Sequence, residues 1–225
     1  MLAVVSVAAV VFDMDGVLID SEQVWADARE ELARERGGIW PPGTQERMMG
    51  MSSLEWSRFM RDELRVPMEP QEISDEVVER IGRRFREHLP LLPHAPEAVE
   101  RLAARFPLGL ASSSNRPVID LVLDLAALAG SFRATVSSEE VARGKPSPDV
   151  YLEAARRLGA EPAACAAVED STNGIKSAHG AGMYVIAVPR PDYPASAEAL
   201  ALAATVLDSL AGLTPRVVEH AATTA

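Results

Sequence analysis

The sequence is poor in cysteine, in lysine and in positive charge altogether. One cysteine, Cys165, in 225 residues excludes an intramolecular disulfide. It sits inside the apolar run 163–168 and reads as a buried structural thiol. Against 33 acidic residues stand only 22 basic ones, a formal charge of −11. Nucleic acid or an anionic membrane as the main partner would meet repulsion. If the ligand is an anion, a local positive charge must overcome this global field. No run of 18 apolar residues passes unbroken, so no membrane span is expected. The apolar start, residues 1–12, has no basic residue ahead of it and runs straight into acids; it reads as a buried strand rather than a signal peptide. A soluble cytoplasmic protein is expected. Of the 22 basic residues 20 are arginine, which makes the two lysines, Lys145 and Lys176, positions where arginine was not used.

What is present is an alternation. The apolar runs 4–12, 108–111, 164–168 and 184–188 read as buried strands, with 135–136 and 205–207 as weaker ones. Helical patterns fall between them: 96–105 and 117–128, each opened by proline, and 148–158, closed by Gly159. Strand and helix in turn predict a parallel sheet covered by helices, an α/β fold. Residues 19–88 break the alternation. Val24, Trp25, Ala28 and Leu32 share one helical face after a candidate N-cap at Ser21, and Gly37-Gly38 ends the run. A second helix is expected over 53–64, and Val77, Val78, Ile81 and Phe85 mark a third. The expectation is an inserted α-helical cap over residues 19–89, with 1–18 and 90–225 forming the core; a long helical excursion packed on the core is the alternative.

Four stretches carry chemistry. In Phe12-Asp13-Met14-Asp15-Gly16-Val17, alternate residues of an extended chain put Asp13 and Asp15 on one side at the end of the first strand. Ligands gather at the carboxyl ends of parallel strands, and a hard divalent cation such as Mg²⁺ would relieve the repulsion of paired carboxylates. The plain reading of the same residues is an acidic turn. Leu110-Ala111-Ser112-Ser113-Ser114-Asn115 offers small hydroxyls and backbone N–H groups before a helix, which suits phosphate as well as ordinary N-capping. Gly144-Lys145-Pro146-Ser147-Pro148-Asp149 frames a lysine with prolines; Lys145 is either a compact cationic phosphate partner or a solvent-exposed loop residue. Val168-Glu169-Asp170-Ser171 adds two acids at a further strand end, either completing a metal site or capping the next helix.

In this order the four stretches resemble the haloacid dehalogenase-like superfamily along nearly the whole chain, and the helical insertion is similar to the small cap of its sugar-phosphate phosphatase and β-phosphoglucomutase branch. The resemblance implies a Rossmann-like three-layer core; Asp13 as nucleophile; Asp15 as general acid/base and, through its carbonyl, a Mg²⁺ ligand; Ser112, with Ser113 beside it, and Lys145 on the phosphoryl group; and Asp170 with Glu169 at the metal. The physics agrees: an ordinary Asp is ionised at pH 7, and an anion attacking a phosphate needs the charge neutralisation that Mg²⁺ and Lys145 supply.

The cap is expected to choose the substrate, a small-molecule phosphate ester. The mutase branch expects a histidine where Trp25 stands and an arginine where Gly50-Met51-Ser52-Ser53 offers serine. Asp20-Ser21-Glu22-Gln23-Val24-Trp25 is instead similar to 2-deoxyglucose-6-phosphate and hexitol phosphatases. Trp25 either stacks on a sugar or belongs to the cap core, and Glu22 either reads a hydroxyl or faces solvent. Lys176, His94 and His179 read as structural or exposed, and Met48, Met49 and Met51 as cap packing or a flexible lining. A Mg²⁺-dependent phosphomonoesterase acting on a sugar or polyol phosphate, a monomer or weak dimer, is the expectation. A phosphosugar mutase is the alternative, and a non-catalytic phosphate-accepting domain ranks below both because such domains need no cap.

Overall fold

A computed structural model describes residues 7–49 and 51–224. Six strands, β1 (Ala9–Phe12), β2 (Leu108–Ser112), β3 (Phe132–Ser137), β4 (Cys165–Glu169), β5 (Tyr184–Ala187) and β6 (Thr205–Val206), form one all-parallel sheet in the order 3-2-1-4-5-6. Every expected strand is present. Residues 4–6 of the first lie outside the described residues.

Buried on both faces, the central strands read as continuous apolar runs, and the period of two sorts their side chains between two cores. Val10 and Phe12 of β1, Ala166 and Val168 of β4 and Ile186 of β5 enter one core, where Phe12 meets Phe132 edge-on at 6.0 Å. Ala9, Val11, Cys165, Ala167, Val185 and Ala187 enter the other. The buried Cys165 thiol is pushed up to about 11 by burial, so the lone cysteine is an inert part of that core.

Between β1 and β2 run α1 (Glu22–Glu35), α2 (Thr44–Met48), α3 (Ser53–Asp62) and α4 (Pro70–Glu87), followed by α5 (Ala95–Ala103) against the sheet. Among the described residues no strand lies within this helical insertion. Its ends are tied together where the chain leaves and returns: Asp20 N–H donates to Pro90 O at 2.8 Å and Leu92 N–H to Leu18 O at 2.9 Å. The sequence explains the helix starts. Ser52 with Glu55, and Glu69 with Glu72 ahead of Pro70, form reciprocal caps that satisfy the free N–H groups of α3 and α4. The short α2 had no legible pattern in five residues.

After β2 come α6 (Arg116–Leu125), α7 (Asp149–Leu158), α8 (Thr172–Gly180), α9 (Ala197–Leu200) and α10 (Pro215–Thr224). The chain builds outward from β1 to β3, then restarts at β4 on the other side of β1. The carboxyl ends of β1 and β4 therefore flank the point where strand order reverses, the place at which such sheets bind ligands.

Candidate active site

Asp13 follows β1 directly, and Glu169 and Asp170 end β4. Register puts Phe12 beside Val168, and Asp13 N–H donates to Val168 O at 3.0 Å, so the three carboxylates converge. One oxygen from each lies within 4.8 Å of the others, and all three residues are buried. Lys145, 6 % exposed, enters the cluster and bridges Asp13 Oδ1 at 2.9 Å and Glu169 Oε1 at 2.5 Å. One of the two lysines is thus at the site, and the other, Lys176, is exposed.

Glycine makes the convergence possible at two positions. A Cβ on Gly16, whose φ is +81°, would lie 1.9 Å from Asp170 Oδ2, and one on Gly174 would lie 1.8 Å from Glu169 Oε1. Glu169 is saturated. Lys145 and the Tyr151 hydroxyl donate to Oε1, and the N–H groups of Asp170 and Ser171 with the Ser171 hydroxyl donate to Oε2. One of its oxygens thus anchors Lys145. The N-cap of α8 is Ser171, whose hydroxyl accepts from Gly174 N–H at 3.1 Å, and not Asp170.

The charge balance asks for a cation. Burial first, then Glu169 and Asp15, push the Asp13 carboxyl up against the pull of Lys145. Burial, then Glu169 and Asp13, push Asp170 well above the carboxylate range. Burial would lower Lys145, but Asp13 and Glu169 reverse this and hold it above the ordinary lysine value, a fixed ammonium. One ammonium faces three carboxylates, and the buried Asp170 Oδ1 has no hydrogen-bond partner. An acceptor-only oxygen with no donor, in an all-oxygen cluster of surplus negative charge, fits a hard divalent cation.

Asp15 stands apart from that cluster. Its Oδ2 accepts from Ser114 Oγ at 2.6 Å and Ser112 Oγ at 3.3 Å, and its Oδ1 from Ser21 Oγ at 2.5 Å and Trp25 Nε1 at 3.2 Å. Core and helical insertion thus grip one carboxylate together. This corrects the reading of Ser21: it occupies the N-cap position of α1 but makes no cap bond, because its hydroxyl is spent on Asp15.

The cavity in front of these groups has a volume of about 420 Å³. Ser113 and Ser114 line it, whereas Ser112 is fully buried behind them, its oxygen accepting from Ser114 N–H at 3.0 Å. Ser137 and Ser138 donate to the carbonyls of Ser114 and Ser113 and pin this loop. Trp25, 6 % exposed, also lines the cavity, meets Trp56 edge-on at 6.0 Å and carries the Arg29 guanidinium 4.7 Å from its ring centre. Little of the ring is left for a sugar to stack on. Half-buried Glu22 lines the cavity too, raised by burial and by Asp15, and so do Met48, Met49 and Met51, of which Met48 also belongs to the core.

Sequence reasoning missed Arg29, Trp56, Arg190 and Tyr193, and placed Ser114 in the phosphate stretch without singling it out. Arg29 had a signal: it lies four residues after Trp25, a charge on the edge of the apolar stripe of α1. Arg190 and Tyr193 follow β5, at the strand end where ligands gather.

Comparison with known proteins agrees with this geometry. A family model for haloacid dehalogenase-like hydrolases matches residues 7–182. A probable pseudouridine-5'-phosphatase of Drosophila melanogaster is 34 % identical over 212 residues, 91 % of this chain and 90 % of that protein. Hexitol phosphatase B of Escherichia coli K12 is 36 % identical over 192 residues, 83 % of this chain and 85 % of that protein. The crystal structure of CbbY from Rhodobacter sphaeroides in complex with phosphate superposes with a TM-score of 0.84 at 26 % identity, over 95 % of this chain and 99 % of that one. No helix among the described residues is long and apolar enough to cross a membrane.

Proposed function

Because the chain belongs to the haloacid dehalogenase-like hydrolase family, we propose that it is a phosphatase acting on a small phosphorylated metabolite, a sugar or polyol phosphate, through an aspartyl-phosphate on Asp13. The observation that carries this reading is the convergence of Asp13, Asp170 and Lys145 with the Ser113–Ser114 wall on one cavity at the strand-order reversal.

In this reading the Asp13 carboxylate attacks phosphorus, the ester P–O bond breaks, and the leaving alkoxide takes a proton from Asp15. Water then attacks the aspartyl-phosphate, giving a proton back to Asp15 and releasing inorganic phosphate and free Asp13. Lys145 neutralises charge on the phosphoryl oxygens, and its bond to Glu169 keeps it aimed there. Ser113 and Ser114 hold the phosphoryl group from the loop side, with Ser112 shaping the loop behind them. Asp13, Asp170 and the Asp15 carbonyl would hold Mg²⁺, which when bound would offset the charge of the carboxylates and of the phosphoryl oxygens. Residues 19–89 act as the lid: they close the cavity, exclude water and bring Ser21 and Trp25 to Asp15.

The test is phosphate release in Mg²⁺ from sugar, polyol and nucleoside monophosphates by wild type and Asp13→Asn, with β-glucose 1-phosphate checked for conversion to glucose 6-phosphate. Release by wild type, reduced at least about 10³-fold in Asp13→Asn, is the expected result. Isomerisation without release would make the enzyme a mutase, and equal release by the variant would remove Asp13 from the chemistry.

A further inference from the structure

Resting on the phosphatase reading, we propose that Arg29 and Glu22 form a hydroxyl-reading subsite that selects substrates whose far end is a neutral polyol rather than a second anion. Arg29 is 6 % exposed and lines the cavity. Among the described residues it makes no ion pair. Its one side-chain hydrogen bond is long, from Nη1 to Gln45 Oε1 at 3.4 Å, and its Nε is buried with no acceptor. The guanidinium is held between Trp25 and Trp56, 4.7 and 4.8 Å from the ring centres. Rings hold a guanidinium by its faces and leave its in-plane N–H donors to be satisfied by something else. Burial has drawn it down to about 10, so it stays charged at neutral pH while lacking acceptors.

Glu22 is the complementary half. It lines the same cavity, and its Oε2 accepts from Gln45 Nε2 at 3.0 Å. Gln45 spans the two, with its oxygen toward Arg29 and its nitrogen toward Glu22. The result is a donor fork and an acceptor carboxylate on one wall without a direct bond between them.

A hydroxyl both donates and accepts, so neighbouring hydroxyls satisfy Arg29 and Glu22 at once. A second phosphate or a carboxylate would satisfy Arg29 alone and would face Glu22, Glu46 and Asp192 on the same walls. Arg190 does not redress this, being paired with Asp20 at 2.9 Å. The position suits the chemistry: Trp25 gives its indole N–H to Asp15 and its ring to Arg29, so the subsite stands one indole away from the reacting end.

The experiment is kcat/KM of wild type, Arg29→Met, Arg29→Lys and Glu22→Gln on sorbitol 6-phosphate, fructose 1,6-bisphosphate and phenyl phosphate, which has no hydroxyl. In Arg29→Met the ratio of sorbitol 6-phosphate to phenyl phosphate should fall about 10- to 100-fold, mostly through KM, with Arg29→Lys between it and wild type. In Glu22→Gln the ratio of bisphosphate to sorbitol 6-phosphate should rise about 10-fold, which holds even if Arg29→Met does not fold. An unchanged ratio in Arg29→Met would make Arg29 a mere strut between two tryptophans and overturn the proposal. So would a wild type that prefers the bisphosphate. A wild type inactive on all three esters would instead remove the phosphatase reading beneath it.

Discussion

The two ends of the cavity are finished to different degrees. At the core end Glu169 accepts five hydrogen bonds, Lys145 spans two carboxylates, and the exception is the bare Asp170 Oδ1, where a cation fits. At the far end Arg29 keeps a buried Nε without an acceptor, and its guanidinium is held between two rings with no direct ion pair among the described residues. The difference follows from what each end meets. A phosphoryl group is the same in every substrate, so its surroundings can be satisfied and fixed beforehand. The rest of the substrate varies, and polar groups left open there are satisfied only by the right one.

Crowding the saturated end should give the largest effect. In Gly174→Ala the new Cβ would meet the Glu169 carboxylate, so Glu169 must move and Lys145 loses its anchor. Turnover should fall about 100-fold or more on every ester alike, with a lowered melting temperature, because a buried ammonium is left half-paired. Activity near wild type would show that the core end tolerates slack, and the contrast between the ends would collapse.

Trp25→Phe probes the seam. It keeps an aromatic ring beneath Arg29 but deletes the N–H that reaches Asp15. The expected result is a fall in kcat of about 10-fold with substrate selectivity preserved, since the hydrogen bond that orients the Asp15 carboxyl is lost while the ring contact stays. A change in selectivity with kcat intact would put Trp25 at the far end instead.

The same division decided what could be read from the sequence. The core end is built at strand ends, where neighbours in sequence become neighbours in space: Asp13 just after β1, Glu169 and Asp170 at the end of β4, and the serines at the end of β2 are short local motifs. The central strands β1, β2, β4 and β5 were legible because burial on both faces leaves apolar runs, whereas β3 and β6, partly exposed, left only weak signals. The far end is assembled from helix faces and loops. Arg29, Gln45 and Trp56 come from α1, α2 and α3, and no local pattern says that those faces meet. Ser112 shows the limit within a motif. Residue type could not say which of three consecutive serines turns inward, and it is Ser113 and Ser114 that line the cavity. Likewise Trp25 was legible as an aromatic on a helix face but not as a donor to a carboxylate ten residues earlier.

The smallest effect is expected where core and insertion part on a single turn. Glu139 reaches the insertion, accepting from Ser53 Oγ at 2.9 Å as well as from Asn115 Nδ2 at 2.8 Å. Its neighbour Glu140 serves the core alone, accepting from Arg116 Nε at 2.8 Å, Arg157 Nη2 at 2.6 Å and Ser137 N–H at 3.3 Å. Burial pushes Glu140 up, but the two guanidiniums outweigh it and hold the carboxyl below its ordinary value of 4.5. A carboxyl depressed on folding adds stability above its unfolded pKa and loses it as pH falls through the folded one. Glu140→Gln should therefore cost about 1 kcal/mol by urea unfolding at pH 7, and the gap to wild type should close as the pH drops below 4.5. A gap that stayed constant into acid would assign the loss to shape rather than charge. A changed KM would mean that this turn senses the lid through both acids, and that the insertion and the core are less separable here than their bonding implies.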